Sequence, residues 1–302
     1  MAAKIAPLAR IRIAGPDRKG IIAAVTTYLF KSGCNIEDID QRILDEILVM
    51  NMLVDTAALK SSVDGFVTGL KEAARKVGCD AQFQPVVARR IKKIALLVTR
   101  EPQCSKKLIA DCEKKIIKGE PSVILANRPD LEPLAKRHRI PFYWSPSDNK
   151  KNHELFILEK LNELDVDVIV LARYMQILSP EFCFRYEGKI INVHPSLLPS
   201  FPGARAYSQA FQKGVEVVGV TSHFVTTDLD QGPIICQDAF KVDKTRDTVE
   251  SIAARGKTME AAVLARAVKL FCEDRLSLRR GKVIDNQKIA ALQKKTREFY
   301  QS

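Results

Sequence analysis

The stretch of chain from Lys189 to Asp238 decides the fold of this 302-residue protein, and it reads KIINVHPSLLPSFPGARAYSQAFQKGVEVVGVTSHFVTTDLDQGPIICQD. It opens with a short apolar run that is typical of a buried strand and that leads into Asn192 and His194. Side chains on a strand alternate between its two faces, so residues two apart point the same way. The pattern therefore predicts an amide and an imidazole paired on one side of a strand.

The residues after this strand stop regular structure. Pro195 and Pro199 cannot donate a backbone hydrogen bond, and Gly203 lets the backbone turn. A strand end that runs into such a loop usually forms the rim of a pocket. Asn192 and His194 are therefore expected at the mouth of a binding site, with Gly203 in the loop beside them.

A second strand and a polar loop are predicted after a short helix that ends at Gly214. The β-branched run from Val217 to Val225 carries His223. It leads into a loop at residues 226–232, which is rich in hydrogen-bond acceptors and ends in Gly-Pro. We expect this loop to meet the paired amide and imidazole. Its candidate site residues are Thr226, Thr227, Asp228 and Asp230.

Two long motifs in this stretch resemble the folate-dependent formyltransferase family. The first is Asn192-x-His194-Pro-Ser-Leu-Leu-Pro, and the second is His223-Phe-Val-Thr-x-x-Leu-Asp230-x-Gly-Pro. The resemblance is greatest to the members that hydrolyse 10-formyltetrahydrofolate. It also covers Ile94-Ala-Leu-Leu-Val-Thr-Arg, Leu171-Ala-Arg-Tyr-Met-Gln-Ile-Leu-Ser-Pro-Glu and the chain downstream to about Leu270.

The resemblance implies catalytic roles for three residues. Asn192 and His194 would bind the formyl oxygen, because an amide and an imidazolium can donate to the negative charge that develops there. Asp230 would keep His194 charged or receive a proton from the attacking water. Taken singly, the three would more often be a turn cap, a buried histidine and a turn aspartate. Found together in this register they indicate catalysis, with 10-formyltetrahydrofolate as substrate and no metal ion or prosthetic group.

Other positions are candidates for substrate binding or for support of the catalytic residues. His223 is either a core histidine of its strand or a group that fixes Asp230. The Arg173–Leu178 segment matches the family stretch whose backbone lines the pterin pocket, although Gln176 stands where transferases often carry arginine. The polar loop offers further partners for the pterin edges. The candidates are Met175, Gln176, Leu178, Thr226, Thr227, Asp228 and Gly203.

The first part of the chain has the element order βαββαβ. This order and the Pro16-Asp-Arg-Lys-Gly turn before the first helix resemble a ferredoxin-like ACT domain. The resemblance implies regulation by a small amino acid at an interface, and a dimerisation module is the alternative. We expect a homo-oligomer. The predicted strands are Leu8–Ile13, Ile36–Leu44, Ile47–Val54 and Ala81–Val86, and the predicted helices are Ile21–Phe30 and Val63–Val77.

The rest of the chain is predicted to be a doubly wound α/β domain with a mostly parallel sheet. Ligands bind such folds at the carboxyl ends of the strands, where Asn192 and His194 lie. The predicted strands include Ile94–Val98, Ser122–Ala126, Asp167–Leu171 and Ile190–Val193, and the predicted helices are Leu108–Lys118, Asp130–His138, Asn152–Leu164 and Thr248–Phe271.

The basic run Val86–Lys93 marks a change of composition between the two domains. We therefore predict an ACT-like domain at residues 1–88, a formyltransferase-like domain at 89–275 and a basic extension at 276–302. Apolar residues recur at roughly helical spacing in the extension. This spacing favours a solvated helix packed on the domain, and a basic arm for RNA is the alternative.

Composition indicates a soluble, cytoplasmic protein. The sequence has 46% hydrophobic residues, no apolar run long enough to span a membrane and no secretory leader. Its seven cysteines lack metal-site or disulfide spacing, so we expect reduced, mostly buried thiols. The net charge is +12, and the basic runs contain no interleaved aromatic residues on which bases could stack. This pattern argues against nucleic acid as a partner and fits a polyanionic folate.

The choice between water and an amine as formyl acceptor depends on the loop at Thr99–Cys104. A phosphorylated acceptor such as glycinamide ribonucleotide needs backbone N–H groups facing its phosphate. This loop has no glycine, Pro102 donates no N–H, and Glu101 would repel a phosphate. Pro195 favours formyl transfer instead, because the ribonucleotide transferases carry a proline after the corresponding histidine. Hydrolysis is the prediction, and formyl transfer to that nucleotide or to another amine is the alternative.

Two further functions fit less well. A methionyl-tRNA formyltransferase needs a sizeable extra C-terminal domain, and only residues 276–302 follow the catalytic fold here. A non-catalytic amino-acid sensor predicts a broken set of catalytic residues. The set is intact, which favours an enzyme.

Overall fold

The computed structural model describes residues 8–44, 46–85, 91–279 and 281–286. Contacts between residues divide the chain into two units, Met1–Arg90 and Ile91–Ser302. The exact three-part division at residues 88 and 275 stays a prediction. Within the described ranges, no helix combines the length and the apolar composition needed to cross a bilayer. All seven cysteines are free thiols and six of them are buried, as the sequence predicts.

The first unit has the predicted βαββαβ order. Its four strands form one antiparallel sheet in the order β2-β3-β1-β4. Strands β2 and β3 form the predicted hairpin, in which Leu44 pairs with Ile47 and Glu46 takes a left-handed conformation. The elements are β1 (Leu8–Pro16), α1 (Ile21–Lys31), β2 (Asn35–Leu44), β3 (Ile47–Asp55), α2 (Val63–Lys76) and β4 (Asp80–Pro85).

The two helices of this unit pack on one face of the sheet because their apolar residues recur every four positions. Helix α2 begins at Ser62, whose hydroxyl accepts a hydrogen bond from the Gly65 N–H. Each fully buried aliphatic or aromatic side chain contributes about 1.5–3 kcal/mol. The buried helix residues are Ile21, Val25 and Leu29 on α1 and Phe66, Leu70 and Ala74 on α2.

The second unit is the predicted doubly wound α/β domain. Its seven-stranded sheet has the order β11-β10-β9-β8-β5-β6-β7, in which β5 to β9 are parallel and β10 is antiparallel to both of its neighbours, β9 and β11. The strands are β5 (Lys92–Val98), β6 (Gly119–Ala126), β7 (Phe142–Trp144), β8 (Val168–Leu171), β9 (Ile190–His194), β10 (Val217–Phe224) and β11 (Ile234–Lys241). The helices are α3 (Gln103–Glu113), α4 (Glu132–Arg137), α5 (Lys150–Leu164), α6 (Pro180–Arg185), α7 (Ala206–Gln212) and α8 (Val249–Cys272).

Helices cover both faces of this sheet. On β5, Ile94 and Leu96 pack with residues of α3 and α8, whereas Ala95 and Leu97 pack with residues of α5 and α6. A strand buried on both faces reads as a continuous apolar run, which is why β5 was recognisable in the sequence. Strand order reverses beside β5, so a ligand crevice is expected between the ends of β5 and β8.

Helices α3 and α6 differ from what the sequence predicted. The helix predicted at Leu108–Lys118 begins at Gln103 and ends at Glu113, because Lys115 takes a left-handed conformation (φ 57°) that breaks the helix. Helix α6 was not predicted, although Ser179 caps it by accepting from the Phe182 N–H.

The helix predicted for the C-terminal extension is wrong over its described part. Residues Leu276–Arg279 (β12) and Lys282–Asp285 (β13) form an antiparallel hairpin. Gly281 supplies the positive φ of 71° that its turn requires. An ion pair between Arg275 and Asp285 closes the base of the hairpin. The remaining positions on which the helical prediction rested, Ile289, Leu292 and Phe299, lie outside the described residues.

Candidate active site

The predicted catalytic residues converge at the carboxyl end of β9. His194 Nδ1 lies 3.2 Å from Asp230 Oδ2. Asn192 Nδ2 lies 3.3 Å from His223 Nε2, and the same nitrogen of His223 lies 3.8 Å from Asp230 Oδ1. The antiparallel pairing of β9 with β10 sets Asn192 directly opposite His223. The structure thus brings Asn192, His194, Asp230 and His223 into one cluster.

The loop that carries Asp230 is held in place by two glycines. A Cβ atom at Gly232 would lie 1.7 Å from the Phe224 carbonyl oxygen, so only glycine lets the loop fold back onto β10. The Gly203 N–H donates to Asp230 Oδ2 at 3.0 Å, which gives this predicted residue a direct contact with the cluster. Asp230 itself has a φ of 55°, a conformation that aspartate tolerates better than most residues.

His194 is arranged to carry a positive charge. Its Nδ1 faces Asp230, and its Nε2 lies 3.0 Å from the Phe201 carbonyl oxygen, so both ring nitrogens have acceptors and both act as donors. Burial acts to lower the pKa of His194, but the hydrogen bonds to Asp230 and Phe201 and the Asp230 charge outweigh it and raise the pKa. For Asp230, burial acts to raise the pKa, and the hydrogen bonds from His194 and Gly203 outweigh it and lower the pKa.

His223 is arranged to stay neutral. Burial is the main cause that lowers its pKa, and the ring is 2% exposed. Nδ1 donates to the Phe224 carbonyl at 2.9 Å, which leaves Nε2 as an acceptor for the amide N–H of Asn192. Its separation of 3.8 Å from Asp230 is too long for a hydrogen bond. The side-chain hydrogen bond of His223 is therefore with Asn192.

The opposite charges of His194 and Asp230 predict a bell-shaped pH profile of kcat. The pKa of Asp230 lies below 3.8, so activity is lost only as the pH falls through that lowered value. The pKa of His194 lies above 6.5, so activity persists above pH 6.5 and is lost as the pH rises through the raised value. The folding stability contributed by the His194 charge is likewise lost as the pH rises through the raised pKa of His194. The stability contributed by the Asp230 charge is lost as the pH falls through the lowered pKa of Asp230.

The test is a pH profile of kcat for the native protein and for Asp230→Asn. In the variant, the limb due to His194 should move to lower pH, because the anion that holds the ring charged is gone. A native profile whose alkaline limb lies at or below the ordinary histidine value of 6.5 would contradict the ion pair.

A cavity of about 620 Å³ opens at the ends of β5 to β8. Two of the predicted substrate-binding residues, Met175 and Gln176, line it, and the Met175 N–H donates to Thr99 Oγ1 at 2.9 Å. Leu178 is instead a buried residue of the core beside α5 and α6. The other lining residues are Thr99, Arg100, Glu101, Asn127, Arg128, Pro129, Trp144, Pro146, Ser147, Asp148 and Arg173.

The remaining predicted residues lie in the loop that follows β10. Thr226 is half-buried and its hydroxyl donates to the Asp228 carbonyl at 3.3 Å, while Thr227 and Asp228 are exposed. None of the three contributes to the hydrogen bonds described for the catalytic cluster. Their contact with substrate stays a prediction. Within the described ranges, no group of three His, Cys, Asp or Glu side chains is placed to hold a metal ion.

Sequence reasoning missed a buried polar group next to this site. Arg173 Nη1 lies 3.1 Å from Glu260 Oε2, and the Tyr207 hydroxyl donates to Glu260 Oε1 at 2.8 Å. Glu260 is 1% exposed, and its charge acts on His194. The signal available in the sequence was a glutamate in the apolar stripe of a helix, which calls for a partner when it is buried.

Both parts of the chain match known families. An ACT domain matches residues 9–84. The formyl transferase family matches residues 92–268, which include Asn192, His194 and Asp230. The fold and the site thus define a formyl transferase domain preceded by an ACT domain.

Relatives with both domains match nearly the whole chain. A formyltetrahydrofolate deformylase from Bacillus subtilis is 38% identical over 91% of this chain and 92% of that protein, and one from Haemophilus influenzae is 33% identical over 89% and 95%. The crystal structure of a formyltetrahydrofolate deformylase from Pseudomonas syringae matches with a TM-score of 0.65 at 32% identity, over 92% of this chain and 94% of that one. The chain belongs to the formyltetrahydrofolate deformylase family.

A second group of solved structures matches a smaller part of the chain. Glycinamide ribonucleotide transformylase 1 from Symbiobacterium toebii matches with a TM-score of 0.62 at 31% identity, over 66% of this chain and 99% of that one. The two groups share a fold, so the fold alone does not decide the formyl acceptor.

Proposed function

We propose that this protein hydrolyses 10-formyltetrahydrofolate to tetrahydrofolate and formate. The observation that carries the proposal is the cluster in which a charged His194 and the amide of Asn192 lie on one strand beside the carboxylate of Asp230. Membership of the deformylase family supports the same reaction. The proposal concerns water as the acceptor and these three residues as the catalytic groups.

The first step is attack of water on the formyl carbon. Asp230 Oδ2 is bonded to His194 and Gly203, whereas Oδ1 accepts no hydrogen bond from the residues that the structure describes. Oδ1 can therefore orient a water molecule and take its proton. The formyl oxygen becomes negative as the new C–O bond forms. The Asn192 N–H donates to it, and the His194 imidazolium stabilises it by its positive charge, since both His194 N–H groups are bonded to Asp230 and Phe201.

The second step is loss of the folate amine. The tetrahedral intermediate collapses, the bond between the formyl carbon and N10 breaks, and N10 receives the proton that water gave up. Formate and tetrahydrofolate are the products, and the cluster returns to its charged state. Every group in this scheme belongs to the chain or to the substrate. The absence of a prosthetic group stays a prediction.

The loop after β5 supports water rather than a phosphorylated amine. Glu101 pairs with Lys257 at 3.0 Å, and Arg100 pairs with Asp130 at 3.6 Å, so both charges already have partners. Pro102 stands at the N-cap of α3 and donates no N–H. A phosphate would have to break these pairs to bind at the start of this helix.

Purified protein is expected to release one formate for each 10-formyltetrahydrofolate consumed, with water as acceptor. Adding glycinamide ribonucleotide should yield no formylated nucleotide. The measurement is parallel quantification of formate, tetrahydrofolate and formylated acceptor by mass spectrometry. Stoichiometric transfer to the nucleotide would replace hydrolysis with transferase activity.

The ACT domain is proposed to bind an amino-acid effector in a homo-oligomer. Deleting residues 1–88 should leave a catalytic unit that folds, because the second unit has its own buried core. The truncated protein should lose any response of kcat to the 20 amino acids, measured beside the full chain. A response that survives truncation would assign the effector site to the second unit.

We also propose that the protein is located in the cytoplasm.

A further inference from the structure

The buried cluster of Arg173, Glu260 and Tyr207 is unused by the mechanism above. Glu260 lies on α8 with one carboxylate oxygen bonded to Arg173 and the other to Tyr207. Burial and the Glu260 charge raise the pKa of Tyr207, so its hydroxyl stays a donor. A Cβ atom at Gly256 would lie 2.1 Å from that hydroxyl, so α8 carries a glycine where the tyrosine approaches it.

Arg173 connects this cluster to the cavity. It lines the cavity with Thr99 and Trp144, and its Nε is buried with no hydrogen-bond partner among the described residues. Its φ of 63° is left-handed, a conformation that costs a residue with a Cβ and costs glycine nothing. A backbone held in such a conformation beside the candidate active site suggests that the residue there has a functional role.

The Arg173–Glu260 pair lies near the catalytic cluster, because Arg173 follows by two residues Leu171, which pairs with Asn192 across β8 and β9. The Glu260 charge also acts to raise the pKa of His194. A buried carboxylate that lost its guanidinium partner and kept only the hydrogen bond from Tyr207 would attract an ammonium group strongly. It would also be placed to take a proton from that group and release a nucleophilic amine. In the structure the Arg173 guanidinium holds the position that such an ammonium group would take.

We propose that Arg173 is the residue that restricts the formyl acceptor to water, because it pairs with Glu260 and so denies an amine the carboxylate that would hold it beside the formyl group. This inference rests on the proposed hydrolysis. Without Arg173, an amine would attack the formyl carbon, the bond from that carbon to N10 would break, and N10 would take the proton the amine loses. The products would be a formamide and tetrahydrofolate, with no formate.

Arg173→Gly tests the inference, since glycine suits the left-handed backbone at this position. Each protein is given 10-formyltetrahydrofolate with glycinamide as a small primary amine, and N-formylglycinamide and formate are quantified. The native protein should yield formate alone. Arg173→Gly should raise the ratio of formamide to formate at least tenfold, and adding Glu260→Gln should return it to the native ratio.

Arg128→Ala is the matched control. It removes a guanidinium from the same cavity, but Arg128 has no ion-pair partner among the residues described, so no buried acid is uncovered. Its product ratio should stay native. Arg173→Gln is the second variant if the glycine variant does not fold, and it should shift the ratio in the same direction. A native ratio in a folded Arg173 variant, or an equal shift in Arg128→Ala, overturns the inference.

Binding can be read without turnover, because Trp144 is the one tryptophan in the sequence and it lines the cavity. Glycinamide should change the tryptophan fluorescence of Arg173→Gly and not that of the native protein. If the native protein releases no formate, the proposed function fails, and this titration still decides whether Arg173 closes an amine site. Equal fluorescence responses in the two proteins would refute that role.

Discussion

Replacing Asp230 with asparagine is expected to lower kcat by about 10²–10⁴-fold while folate binding stays nearly intact. The carboxylate has two tasks in the proposed mechanism. Its Oδ2 holds His194 charged at 3.2 Å, and its Oδ1 can receive a proton from water. Asparagine has the same shape, but it carries no charge and accepts no proton. The hydrogen bond from the Gly203 N–H can survive, so the loop should keep its place.

The measurement is single-turnover hydrolysis beside equilibrium binding of a non-hydrolysable folate analogue. Asp238→Asn is the matched control, because Asp238 is an exposed carboxylate on β11 whose ion-pair partner among the described residues is the surface Arg266, at 3.5 Å. That variant should turn over at the native rate. If Asp230→Asn also kept a rate near the native one, Asp230 would not be the base, and the scheme would lose its proton acceptor.

Replacing Asn192 with alanine is expected to lower kcat by about 10²–10³-fold, the usual cost of losing one donor to a developing oxyanion. One N–H of the Asn192 amide is bonded to His223 at 3.3 Å, and in the proposed mechanism the other donates to the formyl oxygen. Alanine removes this donor and also leaves His223 Nε2 without its partner. The loss should appear mainly in kcat, since the interaction strengthens as charge develops.

Steady-state kinetics of Asn192→Ala, with thermal unfolding to confirm the fold, provide the measurement. Asn162→Ala removes an exposed amide on α5 whose side-chain oxygen accepts a hydrogen bond from Arg185, and it should leave kcat unchanged. His223→Ala should reproduce part of the Asn192 defect, because it frees the amide to rotate. An effect confined to KM in Asn192→Ala would make this residue a ground-state contact rather than an oxyanion donor.

Local patterns were enough to identify most of the elements. The continuous apolar run of β5 and the four-residue periodicity of α1 and α2 predict which residues are buried from the sequence of each segment alone. The boundary errors arose where one residue overrode the pattern. Lys115 ends α3 by its left-handed backbone, and Gly281 turns the tail into a hairpin where apolar spacing had favoured a helix.

The sequence by itself determined the βαββαβ order of the first unit and the placement of Asn192 and His194 on one strand, because both depend on residues close together in the chain. Only the tertiary structure decided that His223 bonds to Asn192 across two strands, and that Arg173 meets Glu260, a residue 87 positions away. Strand spacing fixes which way a side chain points, whereas its partner depends on how distant segments pack. Charge partners are set by that packing, and so is the direction in which the pKa of His194 is shifted.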